Sequence, residues 1–117
     1  MLLPLCAVKF MKKILFVCSQ NKLRSPTGEA VFSNDPNLDV RSAGLNNDAE
    51  VPLGAEDVAW ADIIFVMEQT HKKKLRKKHK EVLKSQRVIC LDIPDDYEYM
   101  EKTLIEIFKK NVPQFLY

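Results

Sequence analysis

Apolar positions in this chain fall in short continuous runs separated by polar stretches. Lys12–Cys18 (KKILFVC), Asp62–Met67 (DIIFVM) and Arg87–Leu91 (RVICL) are each too short for a helix. All three read as strands, the first buried on both faces and the second buried as well. Leu38–Ser42 (LDVRS) reads as a shorter strand, followed by a turn from Gly44 to Asp48. Between the strands the pattern changes. Pro26 suits a first helical position, Ser25 can cap that helix, and Asn34-Asp35-Pro36 would end it. A short helix is expected over Ala55–Trp60. A longer one is expected from Gln69 to about Leu83, with Leu75 and Val82 on one face. Met100, Leu104, Ile107 and Phe108 mark a final amphipathic helix. Strands alternating with helices predict an α/β fold in three layers: a four-stranded parallel sheet with helices on both faces. Sites in such sheets lie at the carboxyl ends of the strands. The loops after Cys18, Ser42 and Leu91 therefore matter most.

The chain has 117 residues, room for one hydrophobic core. Residues 11–117 are expected to form a single domain. Met1–Phe10 (MLLPLCAVKF) is apolar, but Pro4 interrupts it and no cation precedes it. It reads as an upstream extension rather than a secretory signal. No apolar run approaches the roughly 18 residues of a membrane span. Cys6, Cys18 and Cys90 are too few and too scattered for a disulfide framework or a paired-cysteine zinc site. A reducing, cytoplasmic setting fits them. Net charge is only +2, yet HKKKLRKKHK at 71–80 holds seven Lys/Arg and no acid. The remainder carries eleven basic residues against sixteen acidic ones. That balance disfavours a general nucleic-acid binder but allows an acidic partner at residues 71–80.

The most informative segment is Cys18-Ser19-Gln20-Asn21-Lys22-Leu23-Arg24-Ser25, a C-x5-R-S stretch between a strand and a helix. A loop of this length can curl so that its backbone N–H groups, beside a helix N-terminus, bind a tetrahedral oxyanion. Arg24 can add a guanidinium fork. The same positive field favours a nucleophilic thiolate at Cys18, and Ser25 can donate a hydrogen bond to that sulfur. The charge stabilisation needs neither metal nor cofactor.

VCSQNKLRSPTGEAVF resembles the signature of the low-molecular-weight protein tyrosine phosphatases. Arg41-Ser42-Ala43-Gly44, DIIFVMEQTHKKKL and DIPDDY resemble later segments of the family, so similarity covers most of Lys12 to Leu116. The resemblance implies a flavodoxin-like, phosphotyrosine phosphatase I-like fold. It implies hydrolysis of phosphotyrosine, on a protein or a small aryl phosphate, or of a related phosphomonoester such as phosphoarginine. Cys18 would become a phosphocysteine and Arg24 would bind the phosphate. Ser19, Gln20, Asn21, Lys22 and Leu23 would form the anion loop, with Asn21 holding its shape. Ser25 would stabilise the thiolate. Ser42 would brace the loop through the asparagine. Asp95 would be the general acid, with Asp92 as the alternative, and Tyr97 would flank the pocket.

The chain also departs from the pattern. It is shortened between Ser42 and Asp62, where a supporting histidine has no counterpart. Gln20 stands where the family usually has glycine, and Lys22 stands at a position associated with substrate choice. Trp60 and Cys90 read as packing residues, and neither His71 nor His79 has metal-ligand spacing. The competing reading is a catalytically weak anion- or nucleic-acid-binding module of the same fold, resting on the basic helix.

Overall fold

A computed structural model describes residues 11–116. The expected extension Met1–Phe10 lies outside the described residues. Four strands, β1 (Lys12–Cys18), β2 (Leu38–Gly44), β3 (Ile63–Val66) and β4 (Arg87–Cys90), alternate with four helices. The helices are α1 (Arg24–Phe32), α2 (Ala55–Trp60), α3 (Gln69–Lys78) and α4 (Lys102–Asn111), followed by a 3-10 turn at Pro113–Phe115. All strand pairs are parallel, in the order β2-β1-β3-β4. The direction of winding reverses at β1. The loop after Cys18 thus lies at the switch point, where a crevice opens at the carboxyl edge.

Alternation along the central strands divides the core in two. Ile14, Phe16 and Cys18 of β1 join Ile63 and Phe65 of β3 in one cluster, with Phe32 of α1 and Leu104 and Phe108 of α4. Leu15, Val17, Ile64 and Val66 face the other way, against Val58 of α2 and Leu75 of α3. The sheet is therefore covered on both faces, as the uninterrupted apolar runs require. Phe16 is the hub of the first cluster. Its ring lies 5.8 Å from Phe32, 5.4 Å from Phe65 and 5.5 Å from Phe108.

Several boundaries differ from expectation: β3 and β4 are each shorter than their apolar runs, and Met100, expected on the final helix, precedes α4 at φ 60°. α1 starts at Arg24 with Leu23 as its N-cap, so Ser25 does not cap it and Pro26 is not the first helical residue. The Ser25 hydroxyl is used elsewhere. β2 continues to Gly44 because two further residues pair with β1. α3 stops at Lys78, not near Leu83, where His79 leaves helical geometry (φ −117°, ψ 28°). The expected Leu75–Val82 stripe still buries, but Val82 packs from the following turn.

Gly28 brings α1 close to the sheet. A Cβ there would stand 2.9 Å from Phe16 Cδ1 and 3.1 Å from Phe108 Cε1. Helix propensity favours Gly28→Ala by about 1 kcal/mol. Overpacking costs about 1–3 kcal/mol, and Phe16 cannot retreat from three neighbouring rings. Gly28→Ala is expected to lower the Tm by a few degrees (about 4–8 °C per kcal/mol at this size) in thermal denaturation. An unchanged or raised Tm would show that the Phe16 ring yields.

Candidate active site

The segment 18–25 runs from the end of β1 into the first turn of α1. Its outer side is fixed by main chain. The carbonyls of Cys18, Ser19 and Gln20 accept from the N–H groups of Leu45 (2.9 Å), Asn46 (3.0 Å) and Glu50 (2.9 Å). In a trans peptide the N–H points opposite to the preceding carbonyl. The N–H groups of Ser19, Gln20 and Asn21 are thereby turned inward, away from residues 45–50. Asn21 sits in the left-handed region (φ 56°), which asparagine tolerates better than most side chains. Among the described residues the N–H groups of Gln20, Lys22 and Leu23 meet no acceptor, and those of Arg24 and Ser25 belong to the unsatisfied first turn of α1. Gly44 makes the brace sterically feasible. A Cβ there would lie 2.7 Å from Ser19 O and 2.5 Å from Ala49 Cβ.

The Cys18 sulfur is buried and receives directed hydrogen bonds. The Asn21 N–H donates to it at 3.3 Å. The Ser25 hydroxyl lies 2.9 Å away and itself accepts from Asn21 Nδ2 at 2.9 Å. That acceptance leaves the Ser25 proton free to point at sulfur. The sulfur thus lies within hydrogen-bond distance of two groups, one on the loop and one in the first turn of α1.

Arg24 is 3% exposed. Its Nη1 donates to Glu68 Oε2 at 2.5 Å and to the Ile93 carbonyl at 2.7 Å. Its Nε, also buried, has no hydrogen-bond partner among the described residues. A buried N–H without an acceptor is costly, and a bound oxyanion would supply one. Asp95 Oδ1 stands 3.7 Å from that Nε, on a largely exposed side chain. The loop that carries it is anchored by Ile93 N–H to Met67 O (2.9 Å) and by Met100 N–H to Thr27 Oγ1 (2.9 Å). Asp92, the other acid considered, sits at φ 55° and accepts from the Cys90 thiol at 3.2 Å. Burial raises the pKa of that thiol, which keeps it a donor. Tyr97 is half-buried against the cluster that contains Cys18. The exposed ring is Tyr99, in a concavity of about 610 Å³ that also takes in Asn21, Lys22, Pro26 and Glu50.

Ser42 does not brace the asparagine. Its hydroxyl donates to Glu29 Oε1 at 2.5 Å, tying β2 to α1, while the Asn21 amide is spent on Ser25. Nor is the loop without a supporting histidine. His71, from the first turn of α3, places Nε2 3.0 Å from Ser19 Oγ. Its Nδ1 accepts the Glu68 N–H at 3.2 Å, so the ring proton resides on Nε2 and is donated to Ser19. Glu68 and His71 were missed because both follow β3, far in sequence from the loop. The available signal was an acid and a histidine three residues apart at a strand-to-helix turn. No group of three His, Cys, Asp or Glu side chains among the described residues is arranged to hold a metal.

No protein-family model matches this chain, and no curated protein matches it. Solved structures share its fold. The tyrosine phosphatase Wzb from Escherichia coli K30, in complex with phosphate, matches at a TM-score of 0.71 and 18% identity, covering 91% of this chain and 96% of that one. A low-molecular-weight protein tyrosine phosphatase from Streptococcus pyogenes gives 0.70 and 17%, covering 85% and 89%. The YwlE arginine phosphatase from Geobacillus stearothermophilus gives 0.63 and 24%, covering 84% and 81%. The chain has the all-parallel, four-stranded α/β fold of these phosphatase structures.

The Arg24 hydrogen bond holds the Glu68 carboxyl below its usual 4.5. Burial, reinforced by the Arg24 charge, holds His71 below the ordinary 6.5; Lys74 adds to this, while Glu68 and Asp95 oppose it. The unfolded chain therefore protonates the histidine first, and stability falls as pH drops below about 6.5. The Glu68 contribution is lost in a separate window, below about 4.5. The Tm is expected to decline between pH 7 and 5, and less steeply in His71→Gln. The residual slope belongs to His79, which burial also lowers. An identical slope in wild type and variant would show that His71 is not the titrating group.

Proposed function

We propose that this chain hydrolyses phosphomonoesters, phosphotyrosine foremost, through a phosphocysteine on Cys18. The observation that carries this reading is the buried Arg24 Nε, which has no hydrogen-bond partner among the described residues, set beside inward-turned loop amides and a sulfur within hydrogen-bond distance of Asn21 N–H and the Ser25 hydroxyl. Those amides and Arg24 would hold the phosphate. The Cys18 thiolate attacks phosphorus opposite the ester oxygen. The P–O bond breaks, and its electron pair leaves with the oxygen, which takes a proton from Asp95. Water then attacks the phosphocysteine and gives a proton to the Asp95 carboxylate. The S–P bond breaks, and orthophosphate and thiolate are released. The Ser25 and Asn21 donors aid that second departure by stabilising the returning sulfur anion.

Asp95 is favoured as the acid because it stands beside Arg24 at the mouth of the loop. Asp92 is engaged by Cys90 instead. The same loop would accept phosphoarginine; the YwlE structures that share the fold are described as arginine phosphatases.

Hydrolysis of an aryl phosphate tests the reading. Cys18→Ser is expected to abolish turnover, and equal rates for the two proteins would sink the proposal. Asp95→Asn is expected to lower kcat about 10²–10⁴-fold, the usual contribution of a positioned acid, most severely for poor leaving groups. Asp92→Asn is expected to stay within a few-fold of wild type. The reverse order would move the acid to Asp92.

A further inference from the structure

α3 leaves the candidate site with its first turn and carries its cations away from it. Lys72, Lys73, Lys74, Arg76, Lys77, Lys78 and Lys80 form no ion pair among the described residues. No ion pair among the described residues offsets their mutual repulsion. On one flank of the helix they border a concavity of about 630 Å³, lined by Lys74, Lys77 and Lys78 and by Leu45, Asn46 and Asn47, with no acid in its wall. Lys78 Nζ closes it by donating to Leu45 O (3.3 Å) and Asn47 Oδ1 (2.9 Å). The floor of this concavity is also the brace of the anion loop, because Leu45 and Asn46 hold the Cys18 and Ser19 carbonyls.

We propose that this face docks an acidic segment of a phosphoprotein substrate. The proposal rests on the phosphatase reading and specifies the substrate. Lys77 lies six residues beyond His71, about 9 Å along the helix, and His71 touches Ser19. An extended peptide rises about 3.3 Å per residue, so acidic side chains some three residues or more from the phosphorylated one would reach the lysines. Direction is set by repulsion as well as attraction. Residues 92–101, which pack through Ile93 and Tyr97 against the other core cluster from that of Leu75 in α3, hold Asp92, Asp95, Asp96, Glu98 and Glu101 with no cation. They would turn an acidic segment towards α3. A peptide fits better than nucleic acid. The wall of the concavity has no aromatic ring on which a base could stack, and the rest of the chain carries an excess of acid.

The test uses fluorescent peptides in which a tyrosine is flanked by four glutamates or by four glutamines, each with and without phosphate. In anisotropy titrations the full chain is expected to bind the unphosphorylated glutamate peptide and not its glutamine counterpart, more weakly as salt rises. The Lys74→Glu/Lys77→Glu variant is expected to bind it roughly tenfold more weakly, as two reversed surface charges warrant. The kcat/KM ratio of phosphorylated glutamate to glutamine peptide should exceed one and fall towards one in the variant. Equal binding of the two peptides, or binding unchanged in the variant, overturns the proposal. So does tighter binding of a short RNA than of the glutamate peptide, which would assign the face to nucleic acid. Selective glutamate-peptide binding without turnover of any phosphopeptide supports the docking face and overturns the phosphatase reading.

Discussion

A guanidinium removed from water must be surrounded by acceptors, and much of the carboxyl edge of this sheet is arranged around that requirement. Arg24 draws in Glu68 from the turn after β3, the Ile93 carbonyl from the turn after β4 and the Asp95 carboxylate from the loop beyond it. Two segments distant in sequence, the turn after β3 and the loop after β4, converge on one side chain carried by α1. The arrangement satisfies Nη1 and leaves Nε without an acceptor.

The sulfur obeys the complementary rule. A buried sulfur is a weak acceptor, and its surroundings can supply protons to it. Asn21 does so twice, through its main chain directly and through its side chain by way of Ser25. The left-handed conformation of Asn21 is the backbone strain that accompanies this double role. A separate contact, His71 Nε2 to Ser19 Oγ, ties the same loop to α3.

The sheet and the loop were legible in the sequence because their signals are local. Uninterrupted apolar runs announce strands buried on both faces, and C-x5-R-S is a fixed spacing within one connection. Long-range partners were not legible. Glu68, His71 and the 45–50 brace act across 27 to 52 positions, through contacts that only the crossover topology creates. Ser25 misled for a related reason. A serine before proline is a good cap by local rules, but the sulfur of Cys18 competes for its hydroxyl, and the helix starts two residues before Pro26. Ser42 was placed correctly within β2 yet assigned the wrong partner, because side-chain reach depends on how α1 lies against the strand.

The outer brace of the loop is built from main-chain groups on both sides: three carbonyls from residues 18–20 and three N–H groups from residues 45, 46 and 50. Hydrogen bonds of that kind do not read side chains. Gln20 occupies its position at negative φ without needing glycine's freedom, and the side chains of Leu45, Asn46 and Glu50 can vary while their amides remain in place. Evolutionary drift can therefore rewrite most letters of this region while the loop keeps its shape, provided that residue 44 stays small. Identities of only 17–24% to proteins of the same fold are what such a brace permits.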